Sequence, residues 1–240
     1  MAFSKLSDIA RKALPTKYCG AVIVAGGSAS RMGGIDKVMA PLKDEPMIVH
    51  TVRAFQQCDA VREIIVVTRP DLSAAITQLC LDFSKVRQVV DGGSSRQESV
   101  EKGLYALSEQ VQLVAVHDGA RPLITPAVID RTIRAAHLYG AAAPVVPVKD
   151  TIKVVAGGLI CETPDRNTLR AVQTPQVFDL ALLKGGLEKA KQEKIVLTDD
   201  CSAVEHIGMR VKIVEGDERN IKVTTPLDLK IAEVLMEEQP

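Results

Sequence analysis

The apolar residues of this chain fall into two patterns that alternate along most of its length. In one pattern, Val, Ile and Ala form short, almost continuous runs, as in strands that are buried on both faces. In the other, apolar residues recur every three or four positions, as in helices with one buried face. The strand-like runs are residues 19–25, 63–68, 86–91, 111–117 and 141–148, and the helix-like segments are 46–58, 72–83, 96–108 and 126–140. This alternation predicts an α/β fold with a mostly parallel sheet and helices on both faces.

The last part of the chain continues with helices and one strand. Its pattern predicts a helix at 179–194, a second helix directly after 198–200, a strand at 209–216 and a closing helix from Pro226. Thr225 is a typical N-cap residue, and proline is common at the first helical position that follows it. No low-complexity linker interrupts the chain, so we expect residues 18–240 to form one domain after an N-terminal extension at 1–17.

Residues 151–163 depart from the alternation. Two short β-prone runs flank Gly157 and Gly158, which predicts a β-hairpin within a protruding arm at 150–165. A two-stranded hairpin is marginally stable alone, so the arm needs a surface to pack against. The residues themselves favour the body of the same subunit and a second subunit about equally.

Length, charge and cysteine content exclude several classes of protein. The 240 residues carry 30 Lys plus Arg and 30 Asp plus Glu, so no net charge attracts nucleic acid. We therefore do not expect nucleic acid as a partner. No apolar run approaches the roughly 20 residues that span a bilayer, so we do not expect a membrane as a partner either. The five cysteines form no C-x-x-C pair, and their odd number favours free thiols in a reducing, cytoplasmic compartment.

Polar segments follow four of the predicted strands, and three of these segments contain glycine. They are GGSASRMGGIDK after the first strand, DGGSSRQES after the third, HDGARP after the fourth and KDT, which lacks glycine, after the fifth. Ligands of open α/β sheets bind outside the carboxyl ends of the strands. One or two such segments would be ordinary turns, whereas four at one rim indicate a ligand site.

The first of these segments, VAGGSASRMGGIDK at 24–37, predicts a phosphate-binding loop. It matches neither G-x-G-x-x-G nor G-x-x-x-x-G-K-[ST], so it is a loop of a third kind. Its glycines let backbone N–H groups approach the oxygens of a polyphosphate. Arg31 adds a forked cation and Lys37 a point cation at the same rim; the alternative is that both are solvated surface charges.

Asp118 stands at the end of the fourth predicted strand and is our candidate metal ligand. Mg²⁺ typically keeps several waters and takes one or two carboxylates together with substrate phosphates, which suits a single Asp beside a phosphate loop. The structural alternative is a buried Asp that caps the next turn. We expect the neighbouring His117 to be structural.

Four downstream motifs give the chain a family resemblance. HDGARP, DRNTLRAVQTPQVF, LTDD and NIKVTTPLDL, which lie between residues 117 and 229, resemble those of the 2-C-methyl-D-erythritol 4-phosphate cytidylyltransferase family of the non-mevalonate isoprenoid pathway. The resemblance runs from about Cys19 to Val234. The first loop is also similar to that of molybdenum-cofactor nucleotidyltransferases, so the downstream motifs carry the distinction.

The resemblance implies a Rossmann-like fold and an Mg²⁺-assisted transfer of CMP from CTP to a sugar-alcohol phosphate, with release of pyrophosphate. The acceptor is a phosphate monoester that is mostly dianionic at neutral pH, so no general base is needed. By resemblance, Arg31 and Lys37 stabilise the transition state. The residues that it implies for the nucleotide are Ala25, Gly26, Gly27, Gly93, Ser99, Asp118 and Ala120.

The resemblance also implies where the acceptor binds and how subunits associate. Arg166 and Lys222 would position the acceptor phosphate, and the further contacts would be Arg121, Thr151 and Thr174. The arm at 150–165 would reach a second subunit of a homodimer, so that Thr151 and Lys153 complete the neighbouring site. Two residues depart from the family pattern, because many members have Pro where this chain has Asp36, and the family often has an acid where this chain has Ser94.

Two other functions remain open at the level of the sequence. The same fold could use ribitol 5-phosphate or molybdopterin as the acceptor. From a different class, the chain could be a catalytically silent nucleotide-binding or regulatory subunit. The presence of both Arg31 and Lys37 argues against a silent protein.

Overall fold

The computed structural model describes residues 17–27 and 36–237. Arg31 and nearly all of the predicted N-terminal extension at 1–17 lie outside these residues. Among the helices that are described, none combines the length and apolar character needed to cross a membrane.

The first part of the described chain alternates strands and helices as its apolar pattern predicts. Most of the predicted boundaries agree with the observed ones to within a few residues. The elements are β1 (Cys19–Val24), β2 (Pro41–Leu42), β3 (Glu45–Pro46), α1 (Met47–Gln57), β4 (Val61–Thr68), α2 (Pro70–Leu79), β5 (Val86–Asp91), α3 (Arg96–Ala106), β6 (Leu113–Asp118), α4 (Pro126–Tyr139) and β7 (Ala141–Pro147).

The second part holds the hairpin and three further helices. After one turn of 3₁₀ helix at Arg166–Thr168, the chain returns to the sheet. The elements are β8 (Val154–Ala156), β9 (Leu159–Glu162), β10 (Arg170–Val172), β11 (Gln176–Asp179), α5 (Leu180–Gln192), α6 (Asp200–His206), β12 (Lys212–Glu215) and α7 (Pro226–Glu237).

The central sheet is mostly parallel, as predicted. Its order is β10-β7-β11-β6-β1-β4-β5, and β12 pairs with β7 in parallel. β1 pairs in parallel with both β4 and β6, so the carboxyl ends of these strands meet at one rim. The sequence pattern missed β11, a four-residue strand that lies antiparallel between β6 and β7. Its partners, such as Val116 opposite Gln176, are distant in the chain, so no local periodicity reports the pairing.

Helices cover both faces of this sheet. On β1, Ala21 and Ile23 pack into a cluster with residues of α1, α2 and α4 such as Phe55, whereas Val22 packs with α3, α5 and α6. These strand residues are fully buried, and full burial of each Val or Ile side chain contributes about 1.5–3 kcal/mol. A core on both faces makes the sheet a rigid base for the loops at its rim.

β8 and β9 form the predicted hairpin, which stands apart from the sheet. They pair only with each other among the described strands. Gly157 and Gly158 have φ values of +57° and +81°, which two-residue hairpin turns favour. The apolar side chains of the hairpin are 45–73% exposed in this chain; they are Val154, Val155, Leu159 and Ile160.

Candidate active site

A cleft of about 320 Å³ opens at the rim where β1, β5 and β6 end. It brings together predicted residues from four separate parts of the chain. Those that line it are Ala25, Gly26, Gly27, Lys37, Gly93, Ser99, Asp118, Ala120 and Lys222. Most of the predicted nucleotide site is therefore one continuous surface.

The phosphate cradle at the end of β1 holds Lys37 against its backbone. The N–H of Ala25 donates to the carbonyl oxygen of Val67 at 2.7 Å, which extends the pairing of β1 with β4 by one residue. A Cβ atom on Gly27 would lie 3.0 Å from Nζ of Lys37 and 3.1 Å from its Cε. The lysine side chain therefore crosses Gly27, and glycine leaves the room that it needs.

Asp36 anchors the segment that carries Lys37. Its Oδ1 accepts a hydrogen bond from the N–H of Val38 at 3.1 Å, and its Oδ2 accepts one from Nη1 of Arg69 at 2.5 Å. Arg69 directly follows β4, so this pair ties the lysine segment to the rim of the sheet. Asp36 thus contributes two side-chain contacts that a proline at this position could not make.

The loop between β5 and α3 forms the side of the cleft that is predicted to meet the cytosine. The Ser99 hydroxyl donates to the carbonyl oxygen of Ser95 at 2.9 Å and accepts from the N–H of Gly93 at 3.0 Å. Glu98 accepts hydrogen bonds from both the N–H and the hydroxyl of Ser94. A Cβ on Gly93 would overlap Cβ of Glu98, so only glycine fits this tight loop.

Asp118 is a buried carboxylate surrounded by three cations. Nζ of Lys222 lies 2.7 Å from Oδ2, Nε of Arg121 lies 3.9 Å from Oδ2, and Nε of Arg96 lies 3.4 Å from Oδ1. Burial favours the neutral carboxyl, but the attraction of Lys222, Arg96 and Arg121 outweighs it and lowers the pKa of Asp118 to about 2. The carboxylate is therefore charged at neutral pH and gripped at both oxygens.

A chain of hydrogen bonds fixes the backbone of Asp118. Its N–H donates to Oγ1 of Thr174 at 3.1 Å, the Thr174 hydroxyl donates to Nδ1 of His117 at 2.9 Å, and Nε2 of His117 donates to the carbonyl oxygen of Arg121 at 3.3 Å. This order requires a neutral imidazole with its proton on Nε2. Burial lowers the pKa of His117 to about 3, which suits the structural role predicted for it.

Thr174 lies beneath the cleft rather than on its surface. It is buried, and its hydroxyl contacts Asp118 and His117. In this chain the Thr174 hydroxyl helps to hold Asp118 in place. Its role as a substrate contact stays a prediction.

The segment before α7 brings Lys222 to the cleft. Nη1 of Arg121 donates to the carbonyl oxygen of Asn220 at 2.7 Å, and the Asn220 side chain donates to the carbonyl oxygen of Thr174 at 3.0 Å. The N–H of Val223 donates to the carbonyl oxygen of Ala120 at 2.8 Å. These contacts fix the backbone on both sides of Lys222. The Arg121 side chain is part of this supporting network, which lies behind the cleft.

Two predicted acceptor residues lie away from the cleft of this chain. Thr151 and Arg166 are exposed near the hairpin, and Nη1 of Arg166 donates to the carbonyl oxygen of Lys149 at 2.8 Å. Lys153 donates to the hydroxyl of Thr163 across the arm at 2.7 Å. None of the three lines the cleft.

The sequence-based prediction missed Arg96 and Asp200. The Arg96 side chain lines the cleft and forms a two-pronged contact with the buried carboxylate of Asp200, at 3.0 Å and 2.7 Å. Both residues lie within motifs that the sequence singles out, DGGSSRQES and LTDD. Only the fold reveals that these two motifs touch.

The residues present fit a magnesium ion held largely by substrate. Among the described side chains, no group of three or more His, Cys, Asp and Glu could hold a metal ion by itself. Among the described residues that line the cleft, Asp118 is the one that offers a charged carboxylate. Mg²⁺ uses such an arrangement, with one or two carboxylates, several waters and the phosphate oxygens of a nucleotide.

Comparison with known proteins gives a consistent result. The family model described as 2-C-methyl-D-erythritol 4-phosphate cytidylyltransferase matches residues 19–238. A relative of that name from Caldanaerobacter subterraneus subsp. tengcongensis is 44% identical over 221 residues, covering 90% of this chain and 97% of the relative. Another from Geobacillus kaustophilus is 44% identical over 219 residues, covering 90% and 96%.

Solved structures agree with this fold. The crystal structure of 4-diphosphocytidyl-2C-methyl-D-erythritol synthase from Anaerococcus prevotii is similar with a TM-score of 0.85 at 28% identity, over 93% of this chain and 100% of that chain. The 2-C-methyl-D-erythritol 4-phosphate cytidylyltransferase of Thermus thermophilus gives a TM-score of 0.75 at 30% identity, over 90% and 98%. These similarities confirm the resemblance that the four downstream motifs indicate.

Proposed function

The chain belongs to the 2-C-methyl-D-erythritol 4-phosphate cytidylyltransferase family, and we propose that its cleft is where CTP and 2-C-methyl-D-erythritol 4-phosphate react. The products are 4-CDP-2-C-methyl-D-erythritol, an isoprenoid precursor, and pyrophosphate. The observation that carries the assignment of the cleft is that it joins a glycine cradle crossed by Lys37 to the paired charges of Asp118 and Lys222.

In the proposed reaction, an oxygen of the acceptor phosphate attacks the α-phosphorus of CTP. A new P–O bond forms while the bond from the α-phosphorus to the bridging oxygen of the β-phosphate breaks, and that electron pair leaves with pyrophosphate. The acceptor is already largely a dianion, since the second pKa of a phosphate monoester is about 6. The protein therefore needs to align two anions and to neutralise charge, without a general base.

We assign the triphosphate to the cradle at the end of β1. The backbone N–H groups of Gly26 and Gly27 suit its oxygens, and Ala25, whose own N–H is bonded to Val67, would line the cradle beside them. Lys37 would stabilise the charge that develops on the α-phosphate and the leaving group. Arg31 belongs to the same proposal through its place in the loop. Cytosine would lie against Gly93 and Ser99, and Ala120 would contact the nucleotide at the end of β6.

We assign the acceptor phosphate to Lys222 and Arg166. The 2.7 Å contact with Asp118 holds the ammonium of Lys222 at the edge of the cleft, which supports a role in positioning a phosphate. Arg121, Thr151 and Thr174 complete the proposed acceptor side. Arg121 and Thr174 would act there through Asp118 and Asn220, which they contact in this chain.

We further propose that Asp118 holds Mg²⁺ together with the triphosphate. When bound, the ion would neutralise phosphate charge that Lys37 alone leaves uncompensated. The charged state of Asp118 and its place at the cleft support this role.

The exposed hairpin supports a homodimer in which each arm packs on the neighbouring subunit. Thr151 and Lys153 would then approach the cleft of the neighbouring subunit. This arrangement would account for their distance from the cleft of their own chain. We also place the enzyme in the cytoplasm, a location supported by its five free cysteines, of which Cys161 on β9 is exposed and the other four are buried.

Pyrophosphate release tests the proposal directly. Purified protein with CTP and Mg²⁺ is offered 2-C-methyl-D-erythritol 4-phosphate or ribitol 5-phosphate in parallel, with release followed by a coupled assay. We expect turnover with the first acceptor and little with the second. Turnover with ribitol 5-phosphate alone would overturn the proposed acceptor, and absence of turnover with either would overturn the proposed enzyme.

A further inference from the structure

Arg96 joins two carboxylates that belong to different parts of the fold. It is the first residue of α3, and its side chain reaches Asp118 at the end of β6 and Asp200 at the start of α6. Its contacts with Asp200 are short, 3.0 Å from Nη1 to Oδ1 and 2.7 Å from Nη2 to Oδ2. Its contacts with Oδ1 of Asp118 are longer, 3.4 Å from Nε and 3.5 Å from Nη2. The two Nη atoms of the guanidinium fork therefore form the shorter, two-pronged contact with Asp200, and Asp118 receives only the longer contacts from Nε and Nη2.

The surroundings of Asp200 keep this fork in place. The Asp200 side chain is 2% exposed, against 32% for Arg96. Oε1 of Gln176 accepts hydrogen bonds from the N–H groups of Asp200 and Cys201, at 3.0 Å and 2.9 Å. Nε2 of Gln176 donates to the side chain of Asp199 at 2.7 Å. The start of α6 is therefore tied to β11, and Asp200 offers Arg96 a fixed, buried counterion.

The division of contacts leaves Asp118 open to a further ligand. Arg96 touches Oδ1 and Lys222 touches Oδ2, so the plane of the carboxylate is fixed from both sides. A guanidinium without a second carboxylate would be free to fork onto Asp118 and occupy both oxygens. Asp200 prevents this by holding both Nη atoms. The carboxylate stays charged, oriented and partly available at the cleft.

We propose that Arg96, held by Asp200, is a positioning residue that orients Asp118 toward the metal and nucleotide in the cleft. The inference rests on the function proposed above for Asp118 and extends it to two residues with no assigned role. Arg96 acts here through Asp118 and makes no required contact with the nucleotide. Residues that orient a metal ligand typically change metal affinity by about tenfold to a hundredfold when they are replaced.

A double-mutant cycle tests this inference. Affinity for Mn²⁺ in the presence of CTP is measured from the electron paramagnetic resonance signal of the free ion, without acceptor and therefore without turnover. We expect Arg96→Lys, which keeps the charge and loses the fork, to weaken Mn²⁺ binding about tenfold. Asp200→Asn, which releases the fork toward Asp118, should weaken it by a similar factor. In an Asp118→Asn background, both effects should fall below about twofold, because the group that they act through is absent.

The matched control is Arg53→Lys. Arg53 also forms a two-pronged contact with a carboxylate, at 2.7 Å and 2.8 Å from Glu45, but outside the cleft. We expect the Arg53→Lys variant to bind Mn²⁺ in the presence of CTP with the same affinity as the unsubstituted protein. Thermal melting of each variant without ligand establishes that it is folded, and Arg96→Lys and Asp200→Asn provide two independent routes to the same result.

The outcomes separate this inference from the function on which it rests. Equal losses with Asp118 intact and in the Asp118→Asn background would show that Arg96 contacts the nucleotide itself or acts only on stability, and would overturn the inference. Unchanged affinity in Arg96→Lys would do the same. Failure of the proposed function shows instead as absent pyrophosphate release by the unsubstituted protein, which the binding cycle does not measure.

Discussion

Gly27 determines how the tip of Lys37 lies on the phosphate cradle. We expect Gly27→Ala to lower kcat about 10- to 100-fold, because the new Cβ would lie 3.0 Å from Nζ of Lys37 and displace a group that must be placed to within about 1 Å. The free energy of unfolding should change little, since the atoms that move are the end of a flexible side chain. Steady-state kinetics and urea unfolding measure the two quantities.

Gly185 provides the control for this substitution. It lies within α5, and apart from its chain neighbours and the backbone of its own helix no heavy atom lies within 4 Å of a Cβ built on it. Gly185→Ala should leave kcat unchanged and raise stability by about 0.5–1 kcal/mol, because alanine is the better helix former. An unchanged kcat in Gly27→Ala would mean that Lys37 acts from another position.

His117 makes stability depend on pH. Its folded-state pKa of about 3 lies below the ordinary value of 6.5, so the unfolded chain binds a proton that the folded protein excludes. Its contribution is complete above about pH 6.5 and is lost as pH falls from there toward 3. Below pH 6.5, we expect the unfolding free energy to fall more steeply than in His117→Gln, by up to about 1.4 kcal/mol per pH unit.

Urea unfolding between pH 7.5 and about 5 in a metal-free buffer measures this difference in slope. His117→Gln is the reference for the unsubstituted protein. Every other titrating group is present in both proteins, so the difference in slope reports the imidazole alone. Parallel curves for the two proteins would show that the folded protein protonates His117 as readily as the unfolded chain does.

Single residues differ in how well the sequence identifies them. Lys37 stands in a glycine-rich loop whose residue types indicate phosphate chemistry, whereas Lys222 is identified only by the family resemblance of its motif. The structure brings both to the cleft. Arg96 could not be assigned in this way, because its partner Asp200 is 104 positions away and the two motifs have no local relation. Thr174 shows the opposite case, in which a residue of a recognised motif contacts the framework beneath the cleft.

At the scale of secondary structure, β11 couples the sheet to the start of α6. Gln176 on this strand is 1% exposed and accepts hydrogen bonds from two N–H groups of the helix. Gln176→Met keeps a similar volume but leaves those groups without an acceptor, and we expect it to lower the unfolding free energy by about 2–4 kcal/mol. Because Asp200 shifts with the helix, affinity for CTP should also fall.

Gln192→Met is the comparison for this prediction. Gln192 is exposed at the end of α5, and its side chain donates a hydrogen bond to the side chain of Glu188 one turn earlier, at 3.0 Å. Its replacement should change stability by less than about 0.5 kcal/mol. Equal effects of the two substitutions on the free energy of unfolding would show that the hydrogen bonds from Gln176 to the start of α6 do not stabilise the fold.

The elements that the sequence predicts are those with a strong local signal. β1, β4, β6 and β7 are runs of mostly buried apolar residues, and the helices between them have clear periodicity. The valines of β5 predict a strand that is buried on both faces, but β5 lies at the edge of the sheet and is only partly buried. β11 and the two-residue strands β2 and β3 are too short for a pattern, and their formation depends on partners supplied by the rest of the fold. Tertiary pairing, rather than propensity, decides these segments.

At the scale of the whole molecule, the arm is the feature on which the proposed homodimer depends. Val155 and Ile160 face each other across the hairpin and are 65% and 64% exposed. We expect Ile160→Glu to turn a dimer into a monomer in light-scattering measurements, because a charge would have to be buried in the interface. Acceptor KM should rise, while the melting temperature of the core changes little.

The control is a charge on an apolar surface remote from the arm. Leu81 is 66% exposed at the end of α2, and Leu81→Glu should leave the dimer and its kinetics unchanged. A monomeric protein before any substitution, or a dimer that persists in Ile160→Glu, would contradict the role of the arm.

The placement of the cysteines also provides a spectroscopic handle. Burial raises the thiol pKa of Cys19, Cys58, Cys80 and Cys201, to about 11 in the case of Cys80 and further for Cys19 and Cys201. These thiols are therefore both shielded and protonated near neutral pH. Cys161 is exposed on the arm. A maleimide dye at equimolar ratio should therefore label the arm selectively, without any engineered cysteine. Fluorescence anisotropy of that dye would then report when the arm is free and when another surface covers it.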